Sequence, residues 1–371
     1  MSLLGLDVGT TGCKAIAFDE KGHELARAYR EYALNHPRPG WVEMPVDRLW
    51  RNVAEALSEV NSRLSNDPVS ALAVSCQGEA VMPIDADGKE LHDFIITFDQ
   101  RTEPQCEWWR ENLGAEELFR ITGMPLHPMY SINKIQWIKQ NMGAVFNRAW
   151  KFLCVEDYII YRLTGETSTD WSLAARTMAF DVVRRDWSRK ILDMAGVARD
   201  LLPSLHASGT AVGVVLPEAA AETGLPVKAV VATGGHDQPC GALGAGIVAG
   251  GRAMNATGTS DVVCPVFDEP HLTEAMLASN FCCYPHTWGD QYCSVAFNLT
   301  GGLLLRWYRD TLCAEDVRTA EESGRDPYEI ILSRMDPEPV DTFFLPHFVG
   351  SGTPYFDPHS RGALLGLTCP R

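Results

Sequence analysis

The 371-residue sequence predicts an α/β fold in two domains, and three observations carry that prediction. Short apolar runs of strand length alternate with longer stretches of helical periodicity. The length exceeds what one hydrophobic core usually organises. The strand-and-turn pattern of the N-terminus restarts near Ala249-Gly250-Gly251-Arg252, which sets the expected domains at 1–249 and 250–371.

The elements follow in order. Leu3–Val8, Cys13–Phe18 and His23–Tyr32 read as three strands, joined by the turns Gly9-Thr10-Thr11-Gly12 and Asp19-Glu20-Lys21-Gly22. Consecutive strands at the start exclude a Rossmann opening, which passes directly from strand to helix. Pro45–Leu64 places Leu49, Val53, Leu57, Val60 and Leu64 on one helix face. Val69–Ser75 reads as a buried strand running into Cys76-Gln77-Gly78-Glu79, and Glu103–Leu113, Ser131–Met142 and Glu156–Leu163 read as helices. Val227–Thr233 is a β-branched strand ending at Gly234-Gly235-His236-Asp237, and Pro239–Val248 reads as a helix. In the second half, Ala253–Ala256 and Asp261–Val266 are strands around Thr257-Gly258-Thr259-Ser260. Phe281–Pro285 and Gln291–Phe297 form a hairpin, and Gly301–Leu312 is a helix.

Composition narrows the function classes. The chain is 46% hydrophobic and 22% charged, which is globular rather than disordered. Its formal charge of −16 argues against a broad nucleic-acid or anionic-membrane surface. No apolar run approaches the roughly 18 residues of a membrane span, and the N-terminus lacks the pattern of a signal peptide. The 11 cysteines include no C-x-x-C pair, so they read as reduced thiols of a cytoplasmic protein.

Two segments carry chemistry. In Asp7-Val8-Gly9-Thr10-Thr11-Gly12-Cys13-Lys14 the glycines allow close backbone approach, and a tight turn lined with N–H groups, two hydroxyls and an ammonium suits an anion. Asp7, ending a buried strand, suits Mg²⁺, directly or through water. In Gly234-Gly235-His236-Asp237-Gln238 an acid just past a strand suits a general base or a metal ligand. It equally suits a helix N-cap. Gly244-Ala245-Gly246-Ile247-Val248-Ala249 matches G-x-G-x-x-A but lies inside a helical segment, where a dinucleotide loop does not occur.

In their order and spacing these segments resemble the FGGY family of carbohydrate kinases, which includes glycerol kinase and xylulokinase. Asp7-Val8-Gly9-Thr10-Thr11 is similar to its first phosphate motif, Gly235-His236-Asp237-Gln238 to its catalytic-base segment and Thr257-Gly258-Thr259-Ser260 to its second phosphate motif. Phe344-Leu345-Pro346, Gly352-Thr353-Pro354 and Arg361–Thr368 are similar to the stretch before its second signature. The resemblance implies an actin-like ATPase (ribonuclease H-like) fold, with two domains around a cleft and the second domain incomplete. It implies ATP and Mg²⁺ as cofactors and a sugar or polyol as substrate, with no nucleic-acid or membrane partner; a homodimer is compatible with it. Asp237 then takes the place of the general base and, with Asp7, of the metal-associated acids. Thr10, Thr11, Gly12 and Lys14, with Gly258, Thr259, Gly302 and Arg306, take the phosphate and nucleotide positions. Gln77, Gly78, Glu79, Asp99, Asp237 and Gln238 take the substrate positions, with a structural ion pair to Arg101 an equal expectation for Asp99.

Departures from the family point away from glycerol. Gly78 stands where glycerol kinase has Arg, and Met129 aligns with a Tyr that contacts glycerol. Losing the Arg and the aromatic contacts leaves room for a larger sugar, a ketose such as xylulose being the expected substrate, while Gly78-Glu79 also departs from the Met-His of xylulokinase. On the nucleotide side Arg306 replaces a Gln of glycerol kinase. The chain stops before the family's adenosine loop, so a truncated chain that binds sugar without phosphorylating it is one rival expectation. An actin- or chaperone-like ATPase with a protein partner is the other.

Overall fold

Alternation along the first strand decides how the molecule begins. In β1 (Ser2–Val8) every second residue is buried, among them Leu4, Leu6 and Val8. β1 pairs antiparallel with β2 (Gly12–Phe18), and β2 with β3 (Glu24–Glu31). The computed structural model describes residues 1–64, 67–258, 260–357 and 359–368. It contains two units: Met1–Arg252 with Val266–Leu272 and Cys282–Cys293, and Ala253–Pro265 with Thr273–Phe281 and Ser294–Arg371.

In the first unit, α1 (Val46–Ser62) lays Leu49, Val53, Leu57 and Val60, all fully buried, against β2 and β3. β4 (Val69–Cys76) then returns parallel to β1. After α2 (Glu103–Asn112), α3 (Ser131–Asn141), α4 (Val155–Thr164) and the short α5 (Trp171–Ala175), β5 (Ala211–Val214) leads through α6 (Pro217–Thr223) to β6 (Val230–His236). The sheet order is β5-β6-β4-β1-β2-β3. β6, β4 and β1 are parallel, with Val8 and His236 both in register with Cys76. The carboxyl ends of three parallel strands therefore share one edge, which is where open α/β sheets bind ligands.

The end of β6 departs from the sequence expectation. The apolar run suggested a strand stopping at Thr233, before the glycines. The strand instead continues to His236 through a register shift between Thr233 and Gly235. A Cβ on Gly234 would collide with the Val74 carbonyl, so glycine is what allows the approach. α7 (Asp237–Gly244) starts directly afterwards and is shorter than expected. Its N-cap is His236, so Asp237 is the first helical residue and not the cap.

In the second unit Ala253–Thr257 pairs antiparallel with Asp261–Phe267, in register at Thr257 and Asp261. Ala296–Asn298, expected to pair with Phe281–Pro285, pairs with Asp261–Val263 instead. The paired part of the expected hairpin, Tyr284–Pro285 with Tyr292–Cys293, belongs to the first unit. α8 (Gly302–Leu312) packs Trp307 against Phe348 and Phe344, with ring centroids 4.7 and 6.0 Å away. Phe343, Leu365 and Leu367 stand 67%, 57% and 68% exposed.

Candidate active site

The first-unit phosphate-like turn is built from backbone. The Gly9 N–H donates to the Gly12 carbonyl at 3.0 Å. Tyr32 from the end of β3 donates its hydroxyl to the Gly9 and Gly12 carbonyls. Gln77, just past β4, donates Nε2 to the Gly9 carbonyl at 3.1 Å and accepts from the Thr10 hydroxyl at 3.3 Å. Gln77 thus ties the turn to β4. Thr11 and Lys14 are exposed, and Gly12 is buried. Asp7 and Lys14 face each other across the β1–β2 ladder, beside a groove that Ser75, Gly234 and Cys240 also line.

Asp237 sits at the carboxyl end of β6. Its side chain is 35% exposed, yet Oδ1 is buried without a hydrogen-bond partner. Burial, with the Asp7 and Glu79 carboxylates nearby, pushes its pKa up to about 7. Oε1 of the adjacent Gln238 is also buried and unpartnered. His236 faces Tyr284, its Nδ1 being 2.8 Å from the hydroxyl. Burial and the Arg176 guanidinium hold His236 down at about 3. The ring is therefore neutral, and its 3.2 Å approach to Asp237 Oδ1 is not an ion pair.

Glu79 is oriented by a buried framework. Its backbone adopts φ of 65°, rare outside glycine. Arg176 donates Nε to Oε1 at 2.5 Å, and Thr97 donates to Oε2 at 2.9 Å. The Glu79 carbonyl accepts from Lys134 Nζ at 2.7 Å and from the Ser131 hydroxyl at 3.0 Å. Burial alone would raise the Glu79 carboxyl, but the Arg176 guanidinium outweighs it and holds the group below its usual range. Arg176 lies between the rings of Tyr130 and Tyr284, 5.4 Å from each centroid. Gly78 is tight: a Cβ there would lie 3.0 Å from the His236 ring and 3.3 Å from Arg176 Cγ. No larger residue fits without moving His236.

Asp99 lies elsewhere. Its fully buried carboxylate accepts from the Val42 N–H at 2.6 Å and from Arg101 N, Nε and Nη2 at 2.7–2.9 Å. Arg101 also binds Glu43 at 2.8 Å and lies over Trp41 at 4.0 Å. This is the ion pair of a closed framework, and it leaves the Asp99 carboxylate no access to solvent.

In the second unit the Gly302 N–H donates to the Gly258 carbonyl at 2.7 Å, so the second turn and the start of α8 meet. The Thr257 hydroxyl closes that turn on Asp261 at 2.8 Å. Arg306 is exposed on α8, and Thr259 lies outside the described residues.

Known proteins share this architecture. The N-terminal domain pattern of the FGGY family of carbohydrate kinases matches residues 2–244. The chain belongs to this family. Xylulose kinase of Escherichia coli (strain K12) is 30% identical over 98% of the chain and 72% of its own length. Gluconokinase of Bacillus subtilis (strain 168) is 28% identical over 99% and 71%. The crystal structure of ligand-bound xylulose kinase from Lactobacillus acidophilus superposes with a TM-score of 0.88 at 25% identity, over 99% of this chain and 72% of that one. The FGGY kinases are phosphotransferases with an alcohol acceptor and ATP as phosphate donor, and their fold is that of the actin-like ATPases.

A single sequence did not single out several residues that build this candidate site. Arg176 orients Glu79, Tyr284 faces His236, and Lys134 holds the Glu79 carbonyl. Only Arg176 left a trace: a lone cation in the apolar stretch Leu173–Phe180 needs a buried partner.

Proposed function

We propose that this FGGY chain phosphorylates a hydroxyl of a neutral sugar, a ketose such as xylulose, at the expense of ATP. The observation that carries this reading is the pair of neighbouring acceptors, Asp237 Oδ1 and Gln238 Oε1, both buried without a donor. A polyhydroxyl ligand supplies such donors, and each acceptor left alone costs about 1–3 kcal/mol. The Asp7 and Glu79 carboxylates both act on Asp237, and the Arg176 guanidinium is already paired with Glu79. Negative charge beside Asp237 favours a neutral sugar over an aldonate.

Asp237 is the general base. Near neutral pH it accepts the hydroxyl proton while the sugar oxygen bonds to the γ-phosphorus, the bond from that phosphorus to the β–γ bridging oxygen breaks, and ADP leaves. Gln238 orients the sugar, Glu79 sets the charge beside Asp237, and Gln77 contributes by holding the Gly9–Gly12 turn. Thr10, Thr11, Gly12 and Lys14 take the phosphates, and Gly258, Thr259, Gly302 and Arg306 are the nucleotide candidates of the second unit. Asp7, which lines the groove at the end of β1, fits a Mg²⁺ ion, since that cation needs only one or two carboxylates beside phosphate and water. Asp7 and Asp237 would hold it, and when bound it neutralises phosphate charge.

The test is ADP release across ketoses, aldoses, polyols and gluconate. Sugar-dependent release that is greatest with a ketose is the expected result. Release that no sugar stimulates would favour a protein-directed ATPase. Calorimetric heat from sugar with none from ATP would mean binding without transfer.

A further inference from the structure

Resting on that reading, we propose that Glu156 is a positioning residue for the base. It fixes the β-bulge that aims Asp237. The shift between Thr233 and Gly235 takes the Gly234 N–H out of the sheet ladder. A buried N–H without a partner is costly, so something must accept from it. Glu156, on α4 and fully buried, does so through Oε1 at 2.6 Å. Nothing in the reaction itself requires a carboxyl there.

A second clamp acts two residues further on. The His236 N–H donates to the Ser172 hydroxyl at 3.0 Å, and that hydroxyl donates to Asp170 Oδ1 at 3.0 Å. The other Asp170 oxygen accepts from the Ser172 N–H at 2.8 Å and the Ser208 hydroxyl at 2.7 Å. Asp170 and Ser172 are fully buried. The backbone on the approach to Asp237 is therefore held at residues 234 and 236 by groups to which the proposed reaction gives no role. Burial, with Asp170 and Asp157 close by, drives the Glu156 carboxyl strongly upward, and Gln, which keeps an acceptor for the Gly234 N–H, is its close mimic.

The experiment compares Glu156→Gln, Glu156→Leu and Ser172→Ala in the full chain by amide hydrogen exchange and by steady-state kinetics. Glu156→Gln keeps the acceptor and should match the parent in both. Glu156→Leu should speed exchange at Gly234–Asp237 by about ten-fold or more while Val230–Thr233 stay protected. It should lower kcat by about 100-fold with the sugar KM little changed, the expected effect of a misaimed base. Ser172→Ala should act in the same direction at His236, and it decides the matter if the Leu variant does not fold. Parent-like exchange at residues 234–237 in Glu156→Leu, or in Ser172→Ala if Leu does not fold, overturns the proposal. So does a rise in KM at constant kcat. Failure of Asp237→Asn to lower turnover would instead sink the assignment of Asp237 as the base, and the exchange result would still stand.

Discussion

Asp237, the proposed base, also weakens the fold that holds it. With its pKa at about 7, the folded chain keeps a proton that the unfolded chain has already lost above pH ~4. Its contribution to stability is therefore greatest at low pH and falls as pH rises towards 7. Asp237→Asn should abolish most turnover yet raise Tm at pH 8. The gain should be about 1–2 kcal/mol, because the partly exposed side chain is screened, and it should vanish near pH 4. Activity runs the other way: kcat/KM should fall with acid below about pH 7, as the base is protonated. Arg176→Ala should cost about 3–5 kcal/mol in urea unfolding, because it leaves the buried Glu79 carboxylate uncompensated. Asp237 stands out locally, as an acid just past a β-branched run and two glycines, whereas Gln238 and Glu79 entered only through the family resemblance. Arg176 reaches Glu79 from 97 residues away, and no local pattern encodes that meeting.

At the scale of elements, periodicity did most of the work. The apolar spacing of α1 was plain, and Leu57→Ala should cost about 2–5 kcal/mol by equilibrium unfolding, as expected for a fully buried leucine. The end of β6 was the hard case, since two glycines after an apolar run look like a stop. They continue the strand as a bulge. At Gly235 φ is 146°, and a Cβ would lie 2.5 Å from Ser172 Oγ and 2.9 Å from Asp170 Oδ2. Gly235→Ala should therefore lower both Tm and kcat, whereas a glycine of an ordinary turn would tolerate the change. Asp99 allowed two readings, a substrate group or a structural ion pair with Arg101, and the pair closes on itself beneath Trp41.

For the molecule as a whole, the parallel arrangement of β1, β4 and β6 gathers Asp7, Gln77 and Asp237 at one sheet edge. Ligands that bind there should stabilise the fold. ADP with Mg²⁺ at about 100 times its Kd should add about 2.7 kcal/mol, and chelation should remove much of the shift in a thermal melt. No helix among the described residues is long and apolar enough to cross a membrane.

The sequence by itself determined the strand meander, the face of α1, the two glycine-bearing turns and the identity of the acid after β6. Each of these depends on residues close together along the chain, where spacing and side-chain chemistry act directly. Only the tertiary structure decided that Glu156 and Ser172 grip the bulge, that Arg176 neutralises Glu79, and that Asp99 is sealed away. Those contacts join distant segments, and what selects them is the cost of leaving a buried charge or N–H without a partner.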